Sequence, residues 1–442
     1  MRHFWSSFSQ WLDPMPDTRF QPYVVYHRRF LVWWGIGLFL FKLGSRRQLD
    51  FDLRSEESYL LGNLNRLAQT HQETLPVHKT LVHFLSHLGW EPLARLRGQM
   101  VRRLIRMKVL EPSRLERHLV LAVDATGHLA FSKPHCPHCL VQEHASGQTR
   151  YLHEVLEAKL VTGGGLALSL ANEFIENADA SDATDPEARK QDCESKAFQR
   201  LAPQIKNAFP QLLLWVTSDS LYACAPVMRT CEQNHWAYVF TFKSTRLPTV
   251  WQEFQALLQL SPQTTRRLEW PDGTVQIYRW IHHLPHEDEQ ARLHHFNAIQ
   301  CEQTSPEGST TLFAWITHLP VTAAHVVEIA TKGGRIRSKI ENQGFNIQKN
   351  SGLNLEHAYS TDPHILKAFY VLLQIAHLLL QLVEQGSLLK HLARQAGKGT
   401  ALALFGSLKN IARRLLEAFR YFRLPDAAYA PDPPIQIRFN TS

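Results

Sequence analysis

Through the first 115 residues apolar side chains recur at three- and four-residue spacing. The segments SEESYLLGNLNRLAQ (55–69), LPVHKTLVHFLSHLGW (75–90) and EPLARLRGQMVRRLIRM (91–107) therefore read as amphipathic helices. Ahead of them the chain is apolar without a break from Phe30 to Phe41 and then meets Lys42. That run is shorter than the roughly 20 residues a membrane span needs, so a buried helix is expected. At Leu119 the pattern changes to short apolar runs. LVLAVDA (119–125), YLHEVLEAKLV (151–161) and LALSLANEFIE (166–176) read as strands, the last two joined at Gly163-Gly164-Gly165. A helix over 190–209, a strand over 212–219, a helix over 225–234 and a strand over 237–243 follow, giving the order β-β-β-α-β-α-β.

Three strands and then alternating helix and strand is the order of an α/β, RNase H-like mixed sheet with helices on both faces. In that arrangement the first and fourth strands are neighbours, so Asp124 and Asp219, at the ends of those strands, can converge. Residues 245–320 interrupt the scheme with strand-like runs: 268–284 around a Pro-Asp-Gly turn, 293–303 and 310–319. After Thr331 helix returns, and 361–385 opens on a Thr-Asp cap with Pro363 in its first turn. The expected layout is a helical basic region (1–115), the first part of the α/β core (116–244), a β-rich insertion (245–330), a closing helix of the core (331–360) and a helical C-terminal region (361–442).

Charge sharpens this division. Residues 1–120 hold 18 Lys/Arg against 10 Asp/Glu, residues 121–331 hold 15 against 23, and residues 332–442 hold 15 against 7. Basic ends around an acidic middle suit a protein that grips a polyanion with its outer parts and does metal chemistry at its centre. On the helix over 91–107, Arg95, Arg102 and Arg106 fall on one side, opposite Leu93, Met100 and Leu104, and form a candidate DNA-facing stripe. Six cysteines in 442 residues, with one close pair, suit a reducing compartment. No export segment is visible and no membrane span is expected, so the reading is cytoplasmic, associated with the nucleoid.

Two aspartates at strand ends make half of a site for Mg²⁺ or Mn²⁺, hard cations that take carboxylate, water and phosphate oxygens. The missing acid is sought in TKGGRIRSKIENQGFNIQKN (331–350). There Arg337 and Glu341 stand four apart on one helix face, able to offer a guanidinium to a phosphate and a carboxylate to a metal.

With these residues in view a resemblance emerges. LAVDATG (121–127), the segment KQDCESKAFQRL (190–201), WVTSDSLYACAPV (215–227) and above all GGRIRSKIENQGFNIQKNSGLNLEHAYS (333–360) resemble the DDE transposases of bacterial insertion sequences, over most of the chain from about Phe30 to Leu388. The resemblance implies a triad of Asp124, Asp219 and Glu341 holding two Mg²⁺ ions, with Asp124 bridging them. It implies Arg337 on a backbone phosphate, with Lys339 and Lys349 as further DNA contacts. Its implied partners are the element's terminal inverted repeats and target DNA, and its implied state is a homodimer or larger synaptic complex. Of the related signature Y-x2-R-x3-E-x6-K, Arg337 and Glu341 match, the tyrosine position is Gly334, and the lysine position is Gln348 with Lys349 one residue late. Two other classes stay open: a metal-dependent endonuclease without strand joining, and a DNA-binding protein that has lost catalysis.

Other patterns compete for attention. Cys136 and Cys139 form a C-x-x-C that is either a structural zinc half-site, completed by Cys193 or His153, or a redox dithiol, or ordinary packing. Gly397-Lys398-Gly399-Thr400 lacks the spacing of a phosphate loop and reads as a link between helices. The basic amphipathic segment 411–422 suits partner packing as well as DNA contact.

Overall fold

The structure, a computed structural model, describes residues 4–53, 58–143, 146–177, 191–288 and 290–425. Lys190 and residues 55–57 and 426–442, which fall within segments read above, lie outside the described residues. The strands are β1 (Leu119–Phe131), β2 (Leu140–Glu143), β3 (Thr149–Val161), β4 (Ala167–Ile175), β5 (Leu214–Ser218), β6 (Ala237–Thr241), β7 (Thr265–Glu269), β8 (Val275–Glu287), β9 (Leu293–Thr304) and β10 (Thr310–Thr317). They join one mixed sheet with the order β2-β3-β1-β5-β6-β10-β9-β8-β7, and β4 shares with β2 the outer edge of β3. The expected first and fourth strands, β1 and β5, are neighbours and parallel, Leu119 facing Leu214 and Ala122 facing Thr217. The fifth, β6, continues in parallel beside β5.

Central strands read as unbroken apolar runs because both faces are covered; every residue of β5 is buried. Besides the short helices Phe8–Trp11 and Gln48–Leu53, the helices are α1 (Arg28–Leu40), α2 (Leu60–Ala68), α3 (His78–Leu88), α4 (Glu91–Arg106), α5 (Glu194–Ala208), α6 (Ala225–Gln233), α7 (Pro248–Leu260), α8 (326–350), α9 (Pro363–Gln385), α10 (Ser387–Gln395), α11 (Ala401–Phe405) and α12 (Leu408–Tyr421).

The β-rich insertion is not a separate body. β7 to β10 form an antiparallel meander, and β10 pairs with β6, so the insertion extends the core sheet sideways. The helix α7 precedes it, where the strand reading gave none; its Val250, Phe254 and Leu258, at four-residue spacing, are buried.

The two most apolar helices bury each other. Along α1 every residue from Phe30 to Leu40 is buried, and a Cβ on Gly35 would come within 2.8 Å of Leu372 on α9, so glycine there sets the close approach of the pair. α9 is long and apolar enough to cross a membrane, yet its most apolar stretch is almost entirely buried inside this fold. Its N-terminus is capped as the sequence indicates, Asp362 accepting from the amides of His364 and Ile365. The two flanking helical regions also join each other, since the Asn63 amide on α2 donates to the carbonyls of Phe419 and Phe422 at the end of α12.

Candidate active site

Strand register brings the first two acids together. Ala122 on β1 stands opposite Thr217 on β5 in a parallel ladder, and Asp124 and Asp219 each lie two residues further on. Parallel neighbours are about 4.8 Å apart, so two carboxylates at matching height are forced into one small space. Ser218, fully buried, ties the strand ends by donating to the carbonyl of Val123 at 2.5 Å. β5 stops there, and Asp219 caps the short turn Ser220–Tyr222 by accepting from the Leu221 amide at 2.8 Å.

Helix α8 supplies the other side. Arg337 donates to Asp124 at 3.0 Å, and both side chains are mostly buried. Glu341 follows one turn later, close enough that its charge acts on Asp124. The helix approaches the sheet this closely because of its glycines. A Cβ on Gly334 would fall 2.3 Å from the Trp315 indole, one on Gly333 3.1 Å from Val239, and one on Gly344 3.1 Å from the Lys159 side chain. Trp315 therefore leaves no room for a larger side chain at position 334.

Two stretches of α8, Ile329–Gly334 and Ile340–Phe345, are wound as π-helix. A π-turn absorbs one residue more than an α-turn. The second contains Glu341 and ends four residues before Lys349, so its wider winding turns Lys349 back toward the Glu341 side relative to an unbroken α-helix. Gln348 instead points into the core, bonded to Gln374 and His377. The Lys349 ammonium pairs with Glu356 at 2.8 Å.

Electrostatics mark this cluster as unusual. Burial pushes the Asp124 carboxyl up to about 6; Arg337 works against that shift, while the charges of Asp219 and Glu341 add to it. A further acid was not singled out from the sequence. Glu194 opens α5, and burial pushes it up to about 7, with Asp124 and Asp219 contributing, even though it accepts a 2.7 Å hydrogen bond from Tyr222. Its only signal in the sequence is an acid in the first turn of a helix, which dipole stabilisation alone would explain. Glu194 and Glu154 line a cleft of about 420 Å³ that also includes Tyr222 and Arg246.

The remaining sequence candidates divide. Lys339 is half-buried on α8 beside the site. On α4, Arg95 and Arg106 are exposed, but Arg102 does not belong to a free stripe. It donates to the Ala208 carbonyl at 2.6 Å and lies over the Phe209 ring, locking α4 to the end of α5. Its neighbour Arg97 is fully buried, bonded to Ser169 and Asn172. Of the four suggested zinc ligands, Cys136, Cys139 and His153 come together, whereas Cys193 is exposed ahead of α5 and stands outside that group. Gly397 to Thr400 is a helix link, with Thr400 capping α11.

No protein-family model matches this chain, and no curated protein is similar to it.

Proposed function

We propose that this chain is a DNA transposase of the DDE type with an RNase H-like core, cutting and joining phosphodiester bonds at the ends of an insertion sequence. The observation that carries the reading is that Asp124, paired with Arg337 at 3.0 Å, feels the charges of both Asp219 and Glu341, acids far apart in the chain. The charges of Asp219 and Glu341 oppose the ionisation of Asp124, and a divalent cation relieves that opposition. Their all-oxygen donor set fits Mg²⁺ or Mn²⁺. When bound, a pair of such ions supplies an activated water or 3′-hydroxyl and stabilises the leaving oxygen.

The protein's own groups do the rest. Asp124, Asp219 and Glu341 would hold the ions, with half-buried Asp124 held by Arg337. Arg337 holds Asp124 in place and keeps its proton affinity from rising further. When DNA enters, its guanidinium has donors left for a backbone phosphate. Lys349 and Lys339 lie along the same helix for further phosphate contacts, and exposed Arg95 and Arg106 extend the basic surface. DNA ends and target DNA are the partners of this reading, with two chains bringing two ends together.

The test is a strand-transfer assay with Mg²⁺ on DNA carrying the ends that flank the gene, against DNA with unrelated ends. Joined products from the native ends alone support the transposase. Cleavage of both DNAs without joining would make it an endonuclease, and binding without cleavage a silent DNA-binding protein.

A further inference from the structure

Beyond the acidic centre, the structure assigns a second metal site: we propose that Cys136, Cys139 and His153 bind one structural zinc ion, with His135, which stands just outside that group, turning in as the fourth ligand. This site does not depend on the DNA-cutting reading.

The geometry is already that of a ligand set. Cys136 Sγ and Cys139 Sγ are 3.8 Å apart, and His153 Nε2 lies 3.5 Å from the first and 3.4 Å from the second. A tetrahedral zinc ion with Zn–S about 2.3 Å and Zn–N about 2.0–2.1 Å requires edges of about 3.8 Å between sulfurs and about 3.6 Å between sulfur and nitrogen. All three distances meet that requirement within 0.2 Å. Burial favours the assignment, since Cys139 and His153 are almost inaccessible to water.

The fourth position has a candidate in the residue next to Cys136. The His135 ring lies 5.7 Å, centre to centre, from that of His153, and is held flat against Phe131 at 4.5 Å. Its Nε2 is shut off from solvent and makes no hydrogen bond, a state that costs free energy unless a partner arrives. Burial raises the Cys136 thiol above its ordinary range and lowers the His153 imidazole. Zn²⁺ takes cysteine as thiolate and histidine as neutral imidazole, so its binding is coupled to proton release.

The position of the site explains what the ion would do. The Asn177 amide donates to the Cys139 carbonyl at 2.8 Å, its backbone amide donates to the His138 carbonyl, and its side-chain oxygen accepts from the amide of Asp192. Val141 in turn donates to Gln191. The cysteine turn thereby fixes the start of α5, and with it Glu194 beside the acidic centre.

The experiment is metal analysis of the purified, reduced full-length protein, followed by chelation and titration with cobalt(II). About one zinc per chain, and tetrahedral cobalt absorption with thiolate charge-transfer bands, is the expected result. Cys136→Ser and Cys139→Ser should each lower retained zinc at least tenfold, and His135→Ala should weaken cobalt binding while leaving the charge-transfer bands. Cys193→Ser should change neither. Wild type that carries no zinc and gives only the pale spectrum of hexa-aqua cobalt overturns the proposal, as does undiminished zinc in the Cys136→Ser protein. The titration of wild type decides the matter even if a cysteine variant fails to fold.

Discussion

Asp124 and Asp219 stand at the same height on adjacent parallel strands, each two residues beyond the facing pair Ala122 and Thr217. Separated by 95 positions in the chain, they become neighbours through strand register alone. A slip of one residue in that register would turn one carboxylate to the other face of the sheet.

Burial of Asp124, with the charges of Asp219 and Glu341 adding to it, costs stability in the absence of a cation. The Asp124 carboxyl is raised from 3.8 to about 6, so the folded chain holds this proton more tightly than the unfolded chain does. The contribution of Asp124 is therefore most favourable below pH about 4, falls as pH rises to about 6, and stays at the lower level above, a change of about 3 kcal/mol. Asp124→Asn should raise the metal-free melting temperature at pH 7.5 by a few degrees, less than the full amount because Arg337 loses its partner. Added Mg²⁺ should stabilise wild type but not this variant, as differential scanning calorimetry would register.

The same proton competes with the cation. Affinity for Mn²⁺, measured by calorimetric titration or electron paramagnetic resonance, should fall about tenfold per pH unit below about 6 and level off above it. A flat profile from pH 5 to 8 would mean that Asp124 is not a ligand.

Gly334 tests the close seating of α8. With a Cβ only 2.3 Å from the Trp315 indole, Gly334→Ala should destabilise the protein by about 1–3 kcal/mol or more in urea unfolding. Combining it with Trp315→Leu should recover part of the loss, giving a non-additive pair.

Beneath the site, Lys159 and Glu157 pair at 3.0 Å with no solvent exposure, and Tyr370 donates to Glu157 at 2.8 Å. Removing the cation alone leaves an inadequately compensated buried carboxylate, so Lys159→Ala should cost about 3–5 kcal/mol. Chemical denaturation would show the change as a lowered midpoint.

Two basic residues offered as DNA contacts should separate experimentally. Lys349→Ala should weaken DNA binding and reduce the salt dependence of the affinity by roughly one ion, with stability nearly unchanged. Arg102→Ala should instead lower stability, because its guanidinium fastens α4 to the Ala208 carbonyl and the Phe209 ring, and should leave the salt dependence as it was. Fluorescence anisotropy across a salt series distinguishes them.

Much of the architecture could be read from apolar periodicity, because the signals were local: β1, β3, β4, β5 and β6 as short apolar runs, and α9 from its Asp362 cap. Helix α7 was missed because Pro248 and the polar residues Gln252, Glu253 and Gln255 mask a stripe of only Val250, Phe254 and Leu258. The sideways extension of the sheet by β10 was not visible because strand partners are set at long range. At the site, Asp124, Asp219 and Glu341 were singled out from strand ends and helix spacing. The π-turn that realigns Lys349 was not legible, since winding depends on packing against Lys159 and Trp315. Glu194 carried no signal of its own, because its environment is assembled by other strands. Arg102 was misassigned because a helical wheel displays one helix without the neighbour, α5, that covers it.

The most direct test of the account is Mg²⁺-dependent cleavage and joining of a plasmid carrying the gene's own flanking DNA, comparing wild type with Glu341→Ala. Wild type should give cleaved and joined products, and these should be lost in a Glu341→Ala protein that folds normally and still binds the DNA. Cleavage that survives in Glu341→Ala would contradict it and move the active centre away from the three acids.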